Sequence, residues 1–479
     1  MDNLSIYRKN FMYKSVVFAL LALMTSMFSL QAAPAKKEPV KPLPPVKFKG
    51  KAFFPIGVYD LAPFNTPGHR RLGSIDPKLY EIGVNIAFFG NLSTPDNKMY
   101  PGYTHIVKGF ERAKKDPRFK DLALIINWAE GIHCLEDQTM PGKAKRKYRP
   151  LTAQERKDRE KFIAEAFSYF AKQDNVIGYS MDEPENTFTN YFRTNHPKSE
   201  LNAGIGPALV EYTYWLKELI DKHHPGALQM PIIAWWGTYK DVSPIYEVLI
   251  ANQYPKHPDV NNPVEFTAPL YEVNFDAARA VTAARVANKP MIYMPPSYDR
   301  LPRWSKHSFK EMRYMLFAPI TRGAMGIMTW RLNRCSQEYR DNVLYPAIKE
   351  LSQFKDFYLG SWHDELVSSN HDAATVDYLK KFAARDELLA DVKVGKKIVV
   401  KDFVPDVSYC LRRTADNRWM LLVVNNRKEA LKNVALTVDM PMPSAVKDEL
   451  AGKTVKVKGK VISDDLAPFD VKVYIWSGK

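Results

Sequence analysis

Short, continuously apolar runs alternate with longer amphipathic stretches over the first three quarters of the chain. Runs that are apolar at every position are typical of strands in a parallel sheet covered by helices. The eight runs are Phe53–Tyr59, Val84–Gly90, Leu122–Trp128, Val176–Met181, Pro231–Trp236, Val248–Tyr254, Pro290–Met294 and Met325–Trp330. The clearest helical patterns are Thr152–Lys172, Pro207–His223, Phe275–Ala287, Ser308–Arg322 and Tyr345–Phe354. Eight β–α units predict an α/β fold of the (β/α)8 TIM-barrel type; a doubly wound sheet is the alternative, but it rarely reaches eight regular units.

The pattern changes after about Trp362. Helical periodicity fades, and short β-branched runs separated by turn signals replace it. These runs are Ile398–Phe403, Met420–Val424, Val434–Val438, Thr454–Val457 and Val471–Trp476. They predict a C-terminal all-β sandwich. We therefore expect a barrel over residues 52–361 and a sandwich over residues 362–479.

The first 33 residues have the layout of a secretory signal peptide. Three basic residues precede the apolar run Val16–Leu30, which is short for a membrane span, and small residues follow it. An uncleaved membrane anchor is the alternative. Residues 34–51 hold five Pro and six Lys and have the composition of an extended linker. We expect a secreted or periplasmic protein with no membrane span after signal cleavage.

The formal net charge is +16, from 69 Lys and Arg against 53 Asp and Glu. Such an excess is typical of nucleic-acid binding. The signal segment carries +2 (three basic, one acidic) and the linker +5 (six Lys, one Glu), which leaves +9 for the remaining chain. A distinctive cluster in that remainder is Lys143, Lys145, Arg146, Lys147 and Arg149, in the loop after the third strand. A solvated loop is the commoner explanation; our hypothesis is an anionic glycan partner, sulfated or uronic, and no nucleic acid.

Cysteine and histidine spacing indicates no cofactor and no metal site. The three cysteines, Cys134, Cys335 and Cys410, are too few and too scattered for a disulfide framework or a zinc site, although a single disulfide stays open. Phosphate-binding and metalloprotease motifs are missing from any convincing context.

The sharpest local signal is the stretch Val176-Ile-Gly-Tyr-Ser-Met-Asp-Glu-Pro-Glu-Asn186. Its apolar strand leads directly into two adjacent carboxylates, Asp182 and Glu183. Functional residues of a barrel lie where its strands end, so we predict Glu183 as the acid/base and Asp182 as its partner. The structural alternative is that Asp182 caps a helix beginning at Pro184 and Glu183 is only solvated.

Other strand ends and their loops supply aromatic and polar side chains. Stacking aromatic faces and hydrogen-bonding carboxylates together suit a sugar site, although any one aromatic is as readily part of the core. The candidate substrate-binding residues are Asp60, Asn91, Trp128, Trp235, Trp236, Tyr254, Glu272, Tyr298, Trp330 and Arg331. Two of them have alternative explanations: Glu272 precedes a helix start, where an acid is favourable, and Arg331 could pair with Asp182 or Glu183 instead of a substrate anion.

Several motifs resemble those of TIM-barrel glycoside hydrolases, and the resemblance spans most of Phe53–Trp362. They are Phe54-Pro-Ile-Gly-Val-Tyr59, Glu81-Ile-Gly-Val-Asn85, the Asp-Glu-Pro stretch, Asn252-Gln-Tyr-Pro255, Lys289-Pro290 and Gly323-Ala-Met-Gly-Ile-Met-Thr-Trp330. The tail Asp464–Tyr474 resembles the last strands of the sandwich that often follows such barrels. These motifs are specific for the superfamily but weak for any one family or substrate.

One departure from the resemblance concerns the seventh strand, where many retaining members carry a nucleophilic Glu and this chain has none. Three explanations of this missing Glu are open. First, the Asp182–Glu183 pair resembles that of substrate-assisted N-acetylhexosaminidases of families 20 and 123, in which the Asp orients the 2-acetamido group; Tyr254 would support that group. Second, the partner carboxylate comes from another loop: Asp60, Glu272 or Asp299. Third, the barrel only binds glycan.

We therefore predict an exported glycoside hydrolase that acts on a poly- or oligosaccharide. The alternatives are a non-catalytic glycan-binding barrel and a polysaccharide lyase.

Overall fold

The computed structural model describes residues 39, 41–61, 74–92, 103–128, 134–137, 147–150, 152–184, 201–234, 245–252, 254–255, 270–299, 306–372 and 404–478. All of these except residue 39 belong to the unit that spans Val40–Lys479.

Strands and helices are interspersed up to Tyr358, and beyond it the described fold consists of strands and the short 3-10 helix Asp364–Leu366. The strands are β1 (Val46–Phe48), β2 (Lys51–Phe53), β3 (Ile56–Val58), β4 (Ile86–Leu92), β5 (Ala123–Trp128), β6 (Cys134–Asp137), β7 (Lys147–Pro150), β8 (Val176–Met181), β9 (Leu228–Gln229), β10 (Ile232–Ile233), β11 (Leu249–Ala251), β12 (Met291–Tyr293), β13 (Ile327–Thr329), β14 (Ser361–Trp362), β15 (Val367–Ser369), β16 (Val407–Arg413), β17 (Arg418–Asn425), β18 (Leu431–Val438), β19 (Ala445–Asp448), β20 (Lys453–Lys458), β21 (Val461–Leu466) and β22 (Val471–Ser477). The α-helices are Lys78–Glu81, Tyr103–Ala113, Ala153–Phe170, Leu201–His223, Glu272–Ala287, Phe309–Phe317, Gln337–Tyr339, Tyr345–Ser352 and Lys355–Tyr358.

A closed ring of parallel strands confirms the predicted barrel. The sheet order is β10-β11-β12-β13-β3-β4-β5-β8-β9. Its two ends, β9 and β10, are successive pieces of one segment, because only Met230 and Pro231 separate them. A parallel bridge between Asp182 and Ile232 continues the β8 side of this segment. The fifth segment thus joins β8 to β11 and closes the barrel.

The barrel interior is filled by alternate side chains of its strands. The buried set is Ile86, Phe88, Ala123, Ile125, Ile177, Met230, Ile232, Val248, Ile250, Ile292, Met294 and Met328. Val46 of the β1–β2 hairpin belongs to the same cluster and is 1% exposed. Leu43 is also buried, in the larger core around the barrel. The folded chain therefore begins before residue 52, because the last residues of the predicted 34–51 linker carry apolar side chains that the barrel buries.

Capping explains where two of the predicted helices begin. Thr152 accepts a hydrogen bond from the Glu155 backbone N–H, and the Glu155 carboxylate accepts one from the Thr152 N–H. Ser308 and Glu311 form the same reciprocal pair. Each box satisfies two N–H groups that a helix start would leave without partners. The two helices accordingly start at Ala153 and Phe309, one residue after the predicted starts.

The C-terminal strands form the predicted all-β sandwich, which confirms the fold class. Their antiparallel order is β14-β16-β17-β22-β19-β20-β21-β18-β15. The apolar side chains between the layers include Leu421, Val423, Leu436, Ile462 and Tyr474. Four of the predicted runs lie inside β17, β18, β20 and β22, whereas Ile398–Phe403 lies outside the described residues.

Buried polar contacts join the sandwich to the barrel. The Ser408 hydroxyl on β16 lies 3.1 Å from the Asn274 amide and 3.0 Å from the Thr321 hydroxyl, both on the barrel side. The Tyr314 hydroxyl donates to Asn426 at 2.8 Å. Because these groups are buried and mutually satisfied, separating the two parts would expose several donors and acceptors.

Among the described residues, no helix combines the length and apolar character needed to cross a bilayer. Cys335 and Cys410 are buried free thiols.

Strand pairing at β3 predicts intolerance of a side chain at Gly57. A Cβ there would lie 2.6 Å from the carbonyl oxygen of Ile86 on the neighbouring strand, which cannot move without opening the sheet. We expect Gly57→Ala to lower the free energy of unfolding by about 3 kcal/mol. The control is Gly452→Ala, in a turn with φ 64° and open space, which should cost about 1 kcal/mol. Urea unfolding measures both, and equal losses would contradict the prediction.

Asp276, in helix Glu272–Ala287, predicts a pH dependence of stability. Burial raises the pKa of Asp276 to about 8, the charge of Arg279 opposes the shift and that of Glu272 adds to it. Because the folded state keeps a proton that the unfolded chain loses above pH 3.8, the free energy of unfolding should fall as the pH rises from about 4 to about 8. Asp276→Asn should flatten this fall by up to about 1.4 kcal/mol per pH unit. Denaturant titrations of both proteins at pH 5 and pH 8 test it; parallel curves would refute it.

Candidate active site

The carboxyl ends of the barrel strands all open onto one rim, because the strands are parallel. The polar and aromatic side chains at this rim come from six of the eight segments. They are Tyr59 and Asp60 after β3, Asn127 in β5, Asp182 and Glu183 after β8, Asn252 and Tyr254 after β11, Tyr298 after β12, and Trp330 and Arg331 after β13.

Asp182 is held by a chain of hydrogen bonds that crosses the barrel mouth. The Tyr59 hydroxyl donates to Asp182 Oδ2 at 2.8 Å and accepts from the Asn127 amide at 2.6 Å. Asn127 and Tyr59 are both buried. Burial, and next the Asp182 charge, raises the pKa of Tyr59 well above its usual value. Tyr59 therefore stays protonated and serves as a donor to the carboxylate.

Glu183 follows immediately but points toward a different neighbour. Its backbone has φ 44°, a left-handed conformation that is uncommon for a residue with a side chain and is concentrated at functional sites. The backbone N–H donates to the Ile232 carbonyl at 3.1 Å. The carboxylate Oε1 accepts from the Asn252 amide at 3.1 Å. Each member of the acidic pair thus has its own amide- or hydroxyl-bearing neighbour.

Trp330 is the centre of an aromatic cluster beside the two carboxylates. Its ring centroid lies 5.5 Å from that of Tyr254, at an interplanar angle of 30°, and 5.3 Å from that of Tyr298, edge to face. Burial, followed by the charges of Glu183 and Asp182, raises the pKa of Tyr254 well above its usual value. The phenol and both carboxylates therefore share one electrostatic environment.

Arg331 pairs with Asp60, a partner that the sequence did not indicate. Its Nε lies 3.0 Å from Asp60 Oδ2, and its guanidinium lies 5.5 Å from the centroid of the Tyr59 ring. β13 is hydrogen-bonded to β3, which brings the residues after the two strands together. Burial raises the pKa of Asp60 above its usual value although the Arg331 charge acts to lower it.

Asp299 and Glu272, the two other candidate partner carboxylates, each occupy a position that local structure explains. Asp299 accepts from the Ser336 N–H at 2.6 Å and from the Ser336 hydroxyl. Glu272 lies in the first turn of helix Glu272–Ala287, where an acidic group is favoured by the helix dipole.

The remaining candidates lie in the strands β4, β5 and β7 or outside the described residues. Trp235 and Trp236 lie outside the described residues. Asn91 and Trp128 are described only as strand residues of β4 and β5, so both lie inside strands. The cationic cluster falls partly on β7, which pairs with β6 between β5 and the next helix, and Lys143, Lys145 and Arg146 lie outside the described residues.

Two site residues were missed in the sequence: Asn127 and Asn252. Asn252 stands directly after β11, so its position at a strand end could have identified it. Asn127 lies inside an apolar run, and only its contact reveals it. Within the described ranges, no group of three His, Cys, Asp or Glu side chains is arranged to hold a metal ion.

Comparison with known proteins identifies the fold and no family. No family model matches the chain, and no curated protein matches it. Similar solved structures include two proteins from Bacteroides fragilis assigned as alpha-galactosidases. The first has 10% identity and TM-score 0.50, over 88% of this chain and 79% of that chain. The second has 11% identity and TM-score 0.50, over 89% of this chain and 79% of that chain. A GH27 β-L-arabinopyranosidase from Geobacillus stearothermophilus, in complex with arabinose, has 9% identity, TM-score 0.50 and coverage of 89% of this chain and 97% of that chain. These three structures are described as glycosidases, and at such low identity the likeness establishes the barrel-plus-sandwich fold alone.

The Asp60–Arg331 pair predicts a coupled loss of stability. Arg331→Met should leave the Asp60 carboxylate partly buried without its counter-charge and cost about 2 kcal/mol. The loss should be larger at pH 8 than at pH 5, because Asp60 can take up a proton at the lower pH. Asp60→Asn in the same background should recover most of it. Denaturant unfolding of the two single variants and the double variant measures the coupling, and additive losses would rule it out.

Proposed function

We propose that this chain is an exported glycoside hydrolase in which Glu183 is the general acid/base and Asp182 the second catalytic group. One observation carries the proposal: two adjacent carboxylates stand at the rim of a (β/α)8 barrel, each with its own hydrogen-bond donor, beside an aromatic cluster.

Glycosidic cleavage needs a carboxylic acid that protonates the leaving oxygen and a second group that stabilises or attacks the anomeric carbon. Glu183 suits the first role, because Asn252 fixes one carboxylate oxygen and so orients the other. Asp182 suits the second role, because the hydrogen bond donated by the Tyr59 hydroxyl stabilises the charged form of the Asp182 carboxylate.

A 2-acetamido sugar is the substrate class we favour within this function. In substrate-assisted cleavage the acetamido oxygen attacks the anomeric carbon while an adjacent aspartate orients the amide N–H. Asp182 and Glu183 have the required adjacency, and Tyr254 lies within electrostatic reach of both. The surroundings of the other candidate carboxylates support this choice, because each has a structural role. Asp60 forms an ion pair with Arg331, Glu272 lies at a helix start, and Asp299 accepts hydrogen bonds from Ser336.

The aromatic cluster and the neighbours support a carbohydrate substrate in general. Trp330 is partly exposed beside Tyr254, and such faces stack on the C–H surfaces of sugars. The arabinopyranosidase neighbour holds arabinose. We further propose that the substrate is an anionic poly- or oligosaccharide and that the hairpin after β5 helps to bind it. The N-terminal signal would deliver the protein to the outside of the cell or to the periplasm.

Glu183→Gln tests the acid/base role. We expect kcat on an aryl 2-acetamido glycoside with a poor leaving group to fall about 10³-fold, because the leaving oxygen is no longer protonated. The loss should be much smaller for a dinitrophenyl leaving group, which departs without protonation. Asp182→Asn should be impaired with both leaving groups. Steady-state kinetics and calorimetric affinity for the product sugar measure these effects.

The matched control is Glu218→Gln, an exposed carboxylate on helix Leu201–His223, which should behave as the wild type. Turnover confined to 2-acetamido sugars supports the substrate-assisted form. Cleavage of sugars without that group contradicts this form but not hydrolysis. Sugar affinity with no turnover on any glycoside would make the barrel a binding protein, and unsaturated, ultraviolet-absorbing products would make it a lyase.

A further inference from the structure

Donor and acceptor accounting at the barrel rim leaves two arrangements of the protons in the Asn127–Tyr59–Asp182 chain. The Tyr59 hydroxyl has one proton and two close polar neighbours, the Asn127 amide at 2.6 Å and Asp182 Oδ2 at 2.8 Å. One neighbour must donate and the other must accept. An ionised carboxylate only accepts, whereas the amide nitrogen donates, so the arrangement Asn127→Tyr59→Asp182 satisfies both contacts.

The opposite arrangement needs a protonated Asp182 that donates to Tyr59, which in turn donates to the Asn127 oxygen. The charged groups around the pair act in opposite directions. The carboxylates of Asp60 and the adjacent Glu183 oppose a charged Asp182, whereas Arg331, which is coupled to both Tyr59 and Asp182, favours it. Tyr254 is coupled to Asp182 as well. The Arg331 guanidinium lies 5.5 Å from the Tyr59 ring centroid and stabilises negative charge at this end of the pair.

We infer that Tyr59, oriented by Asn127, is a positioning residue that keeps Asp182 ionised, so that Glu183 is the member of the pair that carries the exchangeable proton. The inference rests on the proposed function for its catalytic meaning, although the charge state of Asp182 belongs to the protein alone. It also explains why two adjacent carboxylates can take different roles. Asp182 accepts a hydrogen bond from a hydroxyl at 2.8 Å, and Glu183 accepts one from an amide at 3.1 Å.

Tyr59→Phe tests the inference with and without turnover. The aspartate carboxyl carbons are labelled with carbon-13, and the Asp182 signal is identified by its loss in Asp182→Asn. We expect the titration midpoint of that signal to rise by about one pH unit in Tyr59→Phe, because a charge-assisted hydrogen bond to the ionised form is lost. Asn127→Asp, which replaces the donor by a second acceptor, should raise it as well.

Kinetics on the best glycoside should follow the same shift. The acidic limb of kcat/KM should move up by about one pH unit, so that kcat/KM below the limb falls about tenfold while KM and the plateau at neutral pH stay within about threefold. The matched control is Tyr179→Phe on β8, the strand that leads into Asp182. The Tyr179 hydroxyl contacts His224 at 2.8 Å, and its loss should change neither the Asp182 titration nor the acidic limb. Thermal unfolding checks that each variant is folded.

The outcomes separate the two ideas. An Asp182 midpoint that is unchanged or lower in Tyr59→Phe overturns the inference whether or not the protein hydrolyses glycosides. A raised midpoint in a protein without turnover on any glycoside supports the inference and refutes the proposed function. If Asn127→Asp is unfolded, Tyr59→Phe alone decides.

Discussion

Closure of the parallel ring is the constraint on which the rest of this structure depends. The segment Leu228–Ile233 pairs with β8 through its first half and with β11 through its second, and Pro231 marks the break because it has no N–H to donate. Since all eight segments run the same way, closure brings their carboxyl ends to one rim. Residues as far apart as Asp60 and Arg331 become neighbours only because β13 pairs with β3.

Closure also determines which groups must be satisfied away from water. At the rim, strand ends carry buried amides and phenols that cost free energy unless they are hydrogen-bonded. Asn127 is fully buried and donates to Tyr59, and the nearly buried Asn252 donates to Glu183. The Glu183 carboxylate, which accepts from Asn252, and the Asp182 carboxylate, which accepts from Tyr59, are therefore part of the solution to burial as well as the centre of the proposed chemistry. The same contacts that stabilise the barrel mouth orient the acids.

The barrel was predictable because buried parallel strands are apolar at every position, which leaves a signal in sequence alone. The fifth strand shows the limit: the predicted run Pro231–Trp236 overlaps only the second half of the observed segment, since Leu228–Gln229 pairs before the proline. Strands such as β16 and β21 include polar or charged side chains and are defined by their partners, so no local run marks them. The acidic pair was visible for the opposite reason, because charge directly after an apolar strand stands out. The hydrogen bond between Tyr59 and Asp182 was not visible, since the two residues are 123 positions apart.

The adjacency of the two carboxylates creates a geometric problem that the backbone resolves. Successive residues of a strand point to opposite faces, so Asp182 and Glu183 in a regular strand would not both face the barrel mouth. The left-handed conformation at Glu183, φ 44°, breaks that alternation just where the strand ends, while the Glu183 N–H stays bonded to Ile232. Asp182 then reaches Tyr59 on one side and Glu183 reaches Asn252 on the other. A conformation that costs about 1–3 kcal/mol persists because the closed strand and two side-chain hydrogen bonds hold it.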